Sequence, residues 1–441
     1  MQYLSTRDSA LRVSAQEAIV RGLAPQSGLF VPETFPQADL DAWKNLSYPE
    51  LAEKVLAGFL TDYSADFLHT ATASTYGAAF GGKAGETVKV RDGLYSLELW
   101  HGPTCAFKDY ALQLMPKLLV EAKKMLGRTE TTRILVATSG DTGKAALAGY
   151  ADLDGIEIEV FYPNDGTSEI QHLQMATQKG ENVQVYAVQG NFDDAQTGVK
   201  KVFADADVAA ELEKRGIRLS SANSINWGRL VPQIVYYFYA YFRLAEQGAV
   251  EWGKPVDFCV PTGNFGDILA GYYAKQMGLP VGRLVCASNK NNVLTDFLRT
   301  GIYDARRTFY KTTSPSMDIL ISSNLERLLY HVSGSSEKVA GWMQELSTTG
   351  KYTVDAETLA KIQQSFAAGY ADDADGAAEI KARFDADHYL CDTHTAVAFR
   401  VAETRRTDAP MVVLSTASPF KFSSRDRKST RLNSSHTRGS R

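Results

Sequence analysis

The sequence has little cysteine and no recognisable metal-binding pattern. Four cysteines occur among its 441 residues, at positions 105, 259, 286 and 391, and they form no C-x-x-C pair. This spacing favours neither a disulfide framework nor a zinc knuckle, so we expect reduced thiols. The seven histidines include no H-E-x-x-H motif, and we therefore expect no metal site.

Long apolar runs are also missing. No stretch reaches the length of about 20 residues that a membrane-spanning helix needs. Residues 1–7 lack the basic-then-apolar order of a signal peptide. We therefore expect a protein of the cytoplasm without a membrane partner.

The net charge of −4 is unevenly distributed, because residues 423–441 carry six Lys or Arg against one Asp. This segment contains one large apolar residue, Leu432, and so cannot bury enough surface to offset the cost of ordering. We predict a disordered, non-native tail, with a basic arm for nucleic acid as the alternative. The rest of the chain is acidic, which argues against a nucleic-acid partner.

The chain is long enough for two or three domains, and 44% of its residues are apolar. Residues 1–90 are predicted to be mostly helical, with helices near 16–21 and 51–60. Beyond residue 91, β-rich runs alternate with helical segments, which predicts βαβ units and parallel sheet. The predicted strands are residues 133–137, 157–162, 183–188, 256–260, 283–287 and 411–414.

Lys108 lies in the most informative segment of the sequence, residues 100–112. The turn at Gly102-Pro103 precedes it, Phe107 is its apolar neighbour, and a helical stripe of apolar residues begins at Ala111. We predict that Lys108 lies in the first turn of a helix. The helix dipole and the apolar neighbour would then lower the pKa of its amine, which favours attack on a carbonyl group. An ordinary surface lysine is the alternative.

Two glycine-containing loops each lie between a predicted strand and a predicted helix. The first is Thr138-Ser139-Gly140-Asp141-Thr142-Gly143-Lys144, and the second is Pro261-Thr262-Gly263-Asn264-Phe265-Gly266-Asp267. Backbone N–H groups at a helix start bind carboxylates or phosphates, and the alternative for either loop alone is a purely structural tight turn. The first loop is not a P-loop, because Thr138 replaces the first glycine of that motif. Two anion sites and one reactive amine match pyridoxal phosphate together with a substrate acid.

Further motifs in the chain resemble those of the threonine synthase family, whose members are pyridoxal-phosphate enzymes of the tryptophan-synthase-β fold type. The resemblance covers residues 1 to about 422. It rests on Tyr3-Leu4-Ser5-Thr6-Arg7, Gly22-Leu23-Ala24-Pro25, His101-Gly102-Pro103-Thr104, Phe107-Lys108-Asp109, Ser139-Gly140-Asp141-Thr142-Gly143, Asn223-Ser224-Ile225-Asn226-Trp227-Gly228-Arg229, Pro261-Thr262-Gly263-Asn264-Phe265-Gly266 and Leu414-Ser415-Thr416-Ala417.

The resemblance implies an α/β fold with two parallel-type three-layer αβα domains and the cofactor in the cleft between them. The smaller domain would span residues 91–225 and contain Lys108. The larger would span residues 226–422 and contain the cofactor-phosphate loop. Residues 1–90 would form the helical N-terminal region, and the chain would be a monomer or a homodimer.

The resemblance also implies the conversion of O-phospho-L-homoserine and water to L-threonine and phosphate. Lys108 would hold the cofactor as a Schiff base and act as the catalytic residue. The other implied cofactor contacts are Phe107, Gly263, Asn264, Phe265, Gly266, Asp267 and Thr416. The implied substrate contacts are Ser139, Gly140, Asp141 and Thr142 for the carboxylate and neighbouring groups, and Asn223, Ser224 and Arg229 for the phosphate. A phospholyase or dehydratase that releases a keto acid, and a cofactor-binding protein without turnover, are the alternatives.

The sequence departs from the family pattern in two places. Asp8 replaces the usual glycine after Ser-Thr-Arg, and residues 418–422, Ser-Pro-Phe-Lys-Phe, replace the usual His-Pro-Ala-Lys-Phe. The second departure flanks Thr416. His394 recurs in the family, and its sequence context fits a buried structural histidine as well as a catalytic one.

Overall fold

The computed structural model describes residues 1–138, 140–164, 167–190 and 192–422. Ser139, which the sequence predicts to bind substrate, and the predicted tail at 423–441 lie outside these residues. Among the described residues, none of the helices has both the length and the apolar character needed to cross a bilayer.

The N-terminal region combines a three-stranded antiparallel sheet with helices. Its elements are β1 (Tyr3–Ser5), β2 (Asp8–Val13), α1 (Ala15–Arg21), a 3₁₀ turn (Pro25–Ser27), β3 (Phe30–Pro32), α2 (Leu40–Trp43), α3 (Tyr48–Phe59), α4 (Ala65–Tyr76) and a 3₁₀ turn (Ala78–Phe80). The strand order is β2-β1-β3. The predicted helices correspond to α1 and α3, whereas the sheet was not predicted, since strands of three to six residues give little periodicity.

The next part of the chain builds a four-stranded parallel sheet in the order β8-β7-β6-β9. The elements of this part of the chain are β4 (Glu86–Arg91), β5 (Leu94–Glu98), α5 (Asp109–Leu112), α6 (Met115–Met125), β6 (Thr131–Ala137), α7 (Asp141–Tyr150), β7 (Ile156–Pro163), α8 (Glu169–Ala176), β8 (Val183–Val188), α9 (Phe192–Ala204), α10 (Ala206–Lys214) and β9 (Ile217–Ser220). The strands predicted at 133–137, 157–162 and 183–188 are confirmed as β6, β7 and β8.

The last part of the chain contributes four strands to a six-stranded sheet, which β4 and β5 complete, and β12 and β13 form a separate two-stranded sheet. The elements of this part are α11 (Trp227–Leu230), a 3₁₀ turn (Val231–Gln233), α12 (Ile234–Glu246), β10 (Val256–Pro261), α13 (Gly266–Gln276), β11 (Val281–Ser288), α14 (Val293–Thr300), β12 (Ile302–Asp304), a 3₁₀ turn (Pro315–Met317), α15 (Leu325–Ser333), α16 (Ser336–Thr349), β13 (Lys351–Thr353), α17 (Ala356–Ser365), β14 (Phe366–Tyr370), α18 (Asp373–Asp387), α19 (Thr393–Glu403), β15 (Met411–Ser415) and a 3₁₀ turn (Pro419–Phe422). Strands predicted at 256–260, 283–287 and 411–414 are confirmed as β10, β11 and β15.

The order of the larger sheet is β14-β11-β10-β15-β5-β4, and only the pair of β4 and β5 is antiparallel. Strands β10 and β15 are buried throughout, as expected for strands covered on both faces. Strand β5 lies within the range predicted for the smaller domain, yet it pairs with β15. The domain boundaries stay a prediction.

This topology positions the loops that carry the candidate residues. Strands β5, β6, β10 and β15 are all followed by such a loop, and the parallel strands of each sheet end at one edge. Open α/β sheets bind ligands outside the carboxyl ends of their strands. A ligand site is therefore expected where these loops meet.

Candidate active site

A cavity of about 1340 Å³ lies where these loops come together. Its lining combines Lys108 with residues of the 138–142 loop, the 222–229 segment and the 261–267 loop, and with Thr416. The structure thus brings most of the residues predicted from sequence to one site. Gly140 is an exception, since it is not part of the described lining.

Lys108 precedes α5 as its N-cap residue, and its side chain is 11% exposed. Its Nζ lies 4.8 Å from the centre of the Phe107 ring and 3.7 Å from Oδ2 of Asp141. Burial lowers the pKa of Lys108; Asp141 opposes this effect, whereas the charges of Lys421 and Arg229 add to it. The pKa of Lys108 therefore falls as predicted, but chiefly through burial. Helix α5 has only four residues, so its dipole is small.

The carboxylate of Asp141, the first residue of α7, interacts with the side chains of Lys421, Gln171 and Lys108. Lys421 Nζ lies 2.7 Å from its Oδ1, and Gln171 Nε2 donates to the same oxygen at 2.8 Å. Burial alone would raise the pKa of Asp141, but the charges of Lys421 and Lys108 outweigh it and hold that pKa well below its ordinary value. The carboxylate is therefore ionised and already paired.

The rest of the first glycine loop is held by Thr138. The Oγ1 of Thr138 accepts hydrogen bonds from the N–H groups of Gly140 at 2.9 Å and of Gly143 at 3.0 Å. Gly140 has a φ of 141°, and a Cβ there would lie 2.4 Å from the side chain of Gln171, so only glycine fits. Thr142 lines the cavity. Gly140 thus shapes the loop without lining the cavity.

The second glycine loop leads from β10 into α13. Phe265 has a φ of 64°, and a Cβ at Gly263 would lie 2.8 Å from the carbonyl oxygen of Ser316. The loop therefore requires glycine for close packing, and it is further fixed by Ser322, whose Oγ donates to the carbonyl oxygen of Gly263 at 2.8 Å. Helix α13 has 11 residues and begins at Gly266, so free N–H groups are available at its start.

Asp267, in the first turn of α13, is buried. Its Oδ1 accepts hydrogen bonds from the hydroxyls of Tyr236 at 2.6 Å and Tyr237 at 3.0 Å. Its Oδ2 is buried without a hydrogen-bond partner among the described residues. Burial raises the pKa of Asp267 to about 6, against the two tyrosine hydroxyls and the charge of Lys108. Tyr236 and Tyr237 belong to the aromatic helix α12, which is mostly buried in the core.

Thr416 lies beside the lysine segment, because its carbonyl oxygen accepts the N–H of Phe107 at 2.9 Å. The side chain is buried and lines the cavity. His394 also lines the cavity, but both of its ring nitrogens have partners. Its Nδ1 lies 2.7 Å from Oδ2 of Asp392, and its Nε2 accepts the N–H of Ser316 at 3.1 Å. The structure therefore gives His394 the environment of a structural histidine.

Arg229 is 4% exposed and lines the cavity. Its Nη1 donates to the carbonyl oxygen of Ala222, and its Nε has no hydrogen-bond partner among the described residues. Burial lowers the pKa of Arg229 to about 10, so the group is still cationic near neutral pH. Asn223 and Ser224 line the same cavity, and the Oδ1 of Asn223 accepts the Ser224 hydroxyl at 3.3 Å.

Sequence reasoning missed several residues of the cavity. Lys200 of α9 and Lys311 add two cations to its lining, and neither belongs to a recognisable motif. Gly22 and Ser27 of the N-terminal region also line it. The Gly22-Leu23-Ala24-Pro25 motif was noted for its resemblance to the family and could have indicated this contact.

Two family models match successive parts of the chain. They are described as "Threonine synthase N terminus", over residues 2–76, and "Pyridoxal-phosphate dependent enzyme", over residues 85–365. Threonine synthase from Pseudomonas aeruginosa is 40% identical over 429 residues, which cover 96% of this chain and 89% of that protein. The chain belongs to the threonine synthase family.

Other members of the family extend the comparison. Threonine synthase-like 1 from Homo sapiens is 40% identical over 444 residues, and the match covers 95% of this chain. The chain spans 59% of the length of that relative. The crystal structure of pyridoxal-phosphate-bound threonine synthase from Brucella melitensis matches with a TM-score of 0.91 and 39% identity, over 97% of this chain and 91% of that one. The predicted family, α/β fold class and cofactor are confirmed.

The described residues fit pyridoxal phosphate. The buried amine of Lys108 can bond to its aldehyde, and the Gly263–Gly266 turn, packed too closely for a Cβ at Gly263, can take its phosphate. The Thr416 hydroxyl is available for its ring nitrogen. The roles of the individual residues stay predictions.

Proposed function

We propose that the chain converts O-phospho-L-homoserine and water to L-threonine and phosphate. The observation that carries this proposal is that a largely buried amine, Lys108, and a buried guanidinium, Arg229, line one cavity. An amine can take a proton from a carbon atom of an amino acid, and a guanidinium can bind the phosphate group of a substrate. The P. aeruginosa relative, which matches 96% of this chain, is named threonine synthase.

We assign cofactor binding to Lys108, Phe107, Thr416 and the loop from Gly263 to Asp267. When bound, pyridoxal phosphate supplies an aldehyde that bonds to amino groups and a ring that takes up the electron pair left at Cα. Thr416 would donate a hydrogen bond to the ring nitrogen, and a hydroxyl leaves that nitrogen largely unprotonated.

We assign proton transfer to Lys108. Burial lowers the pKa of its amine and so favours the neutral form, with which Lys108 can take the proton from Cα of the substrate and later return one there. The 138–142 loop would face the substrate carboxylate. Within that loop we assign this contact to Thr142. The carboxylate of Asp141 is paired with Lys421 and would repel another anion.

We assign the substrate phosphate to Arg229, Asn223 and Ser224. After the proton at Cα, one proton leaves Cβ, and the electron pair left there expels phosphate as the carbon–oxygen bond at Cγ breaks. Water then adds its hydroxyl group at Cβ and gives up its other proton, and protons are added at Cγ and Cα. Arg229 neutralises the dianion in a buried site, where its fixed donor geometry suits phosphate oxygens. Location in the cytoplasm and a monomeric or homodimeric state stay predictions from the sequence.

The test uses purified protein loaded with pyridoxal phosphate and incubated with O-phospho-L-homoserine. We expect threonine and phosphate in equal amounts, with little product from unphosphorylated homoserine. Release of ammonia and 2-oxobutyrate would instead indicate a phospholyase or dehydratase. Cofactor binding without any product would overturn the proposal.

A further inference from the structure

Residues 418–422 place a lysine inside the protein and a phenylalanine outside it. Phe420 is 68% exposed, whereas Lys421 is 3% exposed. This reverses the usual preference of the two residue types, and burial of an ammonium group is costly unless it is paired. The inward position of Lys421 therefore requires a specific partner.

The partners of Lys421 lie beside the reactive lysine. Its Nζ is 2.7 Å from Oδ1 of Asp141 and donates to the carbonyl oxygen of Thr104 at 2.8 Å. Lys108 Nζ lies 3.7 Å from Oδ2 of the same carboxylate, which is longer than a hydrogen bond. Asp141 thus interacts with two lysines, and the closer and better hydrogen-bonded one is Lys421.

The backbone around Lys421 is anchored at several points, so its position is fixed. Ser168 Oγ donates to the carbonyl oxygen of Lys421 at 3.1 Å, and the N–H of Ser418 donates to the carbonyl oxygen of Cys105 at 3.1 Å. The ring of Phe422 packs against His394, with 5.0 Å between ring centres. The segment therefore contacts α8, the lysine loop and α19.

We propose that Lys421 is a positioning residue that neutralises Asp141 and thereby leaves the amine of Lys108 free to transfer protons. The inference rests on the proposed function, in which Lys108 takes the proton from Cα. Without Lys421, the carboxylate of Asp141 would keep only the neutral donor Gln171, and its uncompensated charge 3.7 Å from Lys108 would favour the ammonium form of that lysine. The pairing of Asp141 with Lys421 thus affects proton transfer by Lys108, although Lys421 does not contact Lys108.

The other charged groups near Lys108 do not replace Lys421. Arg229 is cationic, but no ion pair joins it to Asp141 among the described residues, and Asp267 accepts hydrogen bonds from two tyrosines. The carboxylate of Asp109 accepts the N–H of Thr104 at 2.8 Å and its hydroxyl at 2.6 Å. Lys144, one turn along α7 from Asp141, donates to Gln178 instead.

The sign of the effect follows from these contacts. Burial, Lys421 and Arg229 lower the pKa of Lys108, whereas Asp141 raises it. Loss of the charge at Lys421 removes one lowering effect and strengthens the raising one. The pKa of the nitrogen of Lys108 should therefore rise, and any step that needs its neutral form should require a higher pH.

The test compares holoenzyme variants Lys421→Met and Lys421→Arg with the parent, and Lys144→Met is the matched control. Two readouts are recorded against pH: kcat/KM, and the visible absorbance of the bound cofactor, which reports protonation of the nitrogen it shares with Lys108. For Lys421→Met we expect both midpoints to rise by about one pH unit or more. Lys421→Arg should stay near the parent, and Lys144→Met should not shift.

A double variant keeps the test decisive if Lys421→Met binds cofactor poorly. Asp141→Asn added to Lys421→Met removes the charge of the carboxylate, so the midpoint should return to or below the parental one. Parental midpoints in Lys421→Met, or no return in the double variant, would overturn the inference. Failure of the proposed function is seen separately, because the absorbance titration does not require that threonine be formed.

Discussion

The N–H of Ser316 donates a hydrogen bond to Nε2 of His394 at 3.1 Å. This contact leaves the histidine no free acceptor nitrogen, since its Nδ1 is paired with Asp392. The 3₁₀ turn Pro315–Met317, which lines the cavity, is therefore attached to α19 through one imidazole ring. Position in the cavity lining alone would have suggested a catalytic role for His394, and its hydrogen bonds argue for a structural one.

We predict that His394→Ala lowers stability without removing an ionisation from the pH profile. The change leaves the half-buried N–H of Ser316 without its acceptor and removes the imidazole contact of Asp392, which keeps the backbone N–H of residue 394, at a cost of about 1–3 kcal/mol in the free energy of unfolding. Urea unfolding measures this cost, and kcat/KM against pH measures the ionisations. Loss of one limb of the pH profile would show that His394 transfers a proton.

Lys108 is predicted to be the residue that bonds to pyridoxal phosphate. Lys144 is the competitor on sequence grounds, but its amine donates to Gln178 and it is not part of the described cavity lining. Borohydride reduction of the holoenzyme, followed by peptide mapping, should place the pyridoxyl mass on Lys108. Recovery of that mass on the peptide of Lys144 would contradict the assignment.

Arg229 is predicted to determine preference for a phosphorylated substrate. Arg229→Ala should reduce kcat/KM for O-phospho-L-homoserine by about 2–4 kcal/mol of transition-state stabilisation, because a buried dianion loses its charged partner. Arg229→Lys keeps the charge but not the planar donor geometry, so it should fall between parent and alanine. The visible spectrum of the bound cofactor serves as the control and should not change. A near-parental kcat/KM in the alanine variant would exclude Arg229 as the phosphate ligand.

Ser27 offers a stability prediction in the wall of the cavity. Its φ of 62° is left-handed, which costs an L-residue about 1–2 kcal/mol. Ser27→Gly should relieve this cost and stabilise the protein by about 0.5–1 kcal/mol, after the larger unfolded-state entropy of glycine is subtracted. Ser27→Ala is the matched control, because it removes the hydroxyl and keeps the Cβ. Equal stability of the two variants in urea unfolding would show that the backbone is not strained there.

The sequence predicted the glycine loops, the reactive lysine and six strands because each is a contiguous pattern. It did not predict that β5 would pair with β15, since these strands are more than 300 positions apart. The pairing of Asp141 with Lys421 was missed for the same reason. Asp141 was assigned to substrate because it lies within a contiguous motif, whereas its closest charged partner lies 280 positions away. The low pKa of Lys108 was predicted correctly, but its main cause, burial, depends on the whole fold.

The contact of Lys421 with Thr104 spans 317 positions of the chain, which bears on when the site forms during synthesis. A ribosome adding about 5–20 residues per second needs about 15–60 s to cover that separation. For most of this interval the growing chain contains Lys108 and Asp141 but not Lys421. We expect the late arrival of Lys421 to delay the reactivity of Lys108, so that the cofactor attaches after translation has passed residue 421.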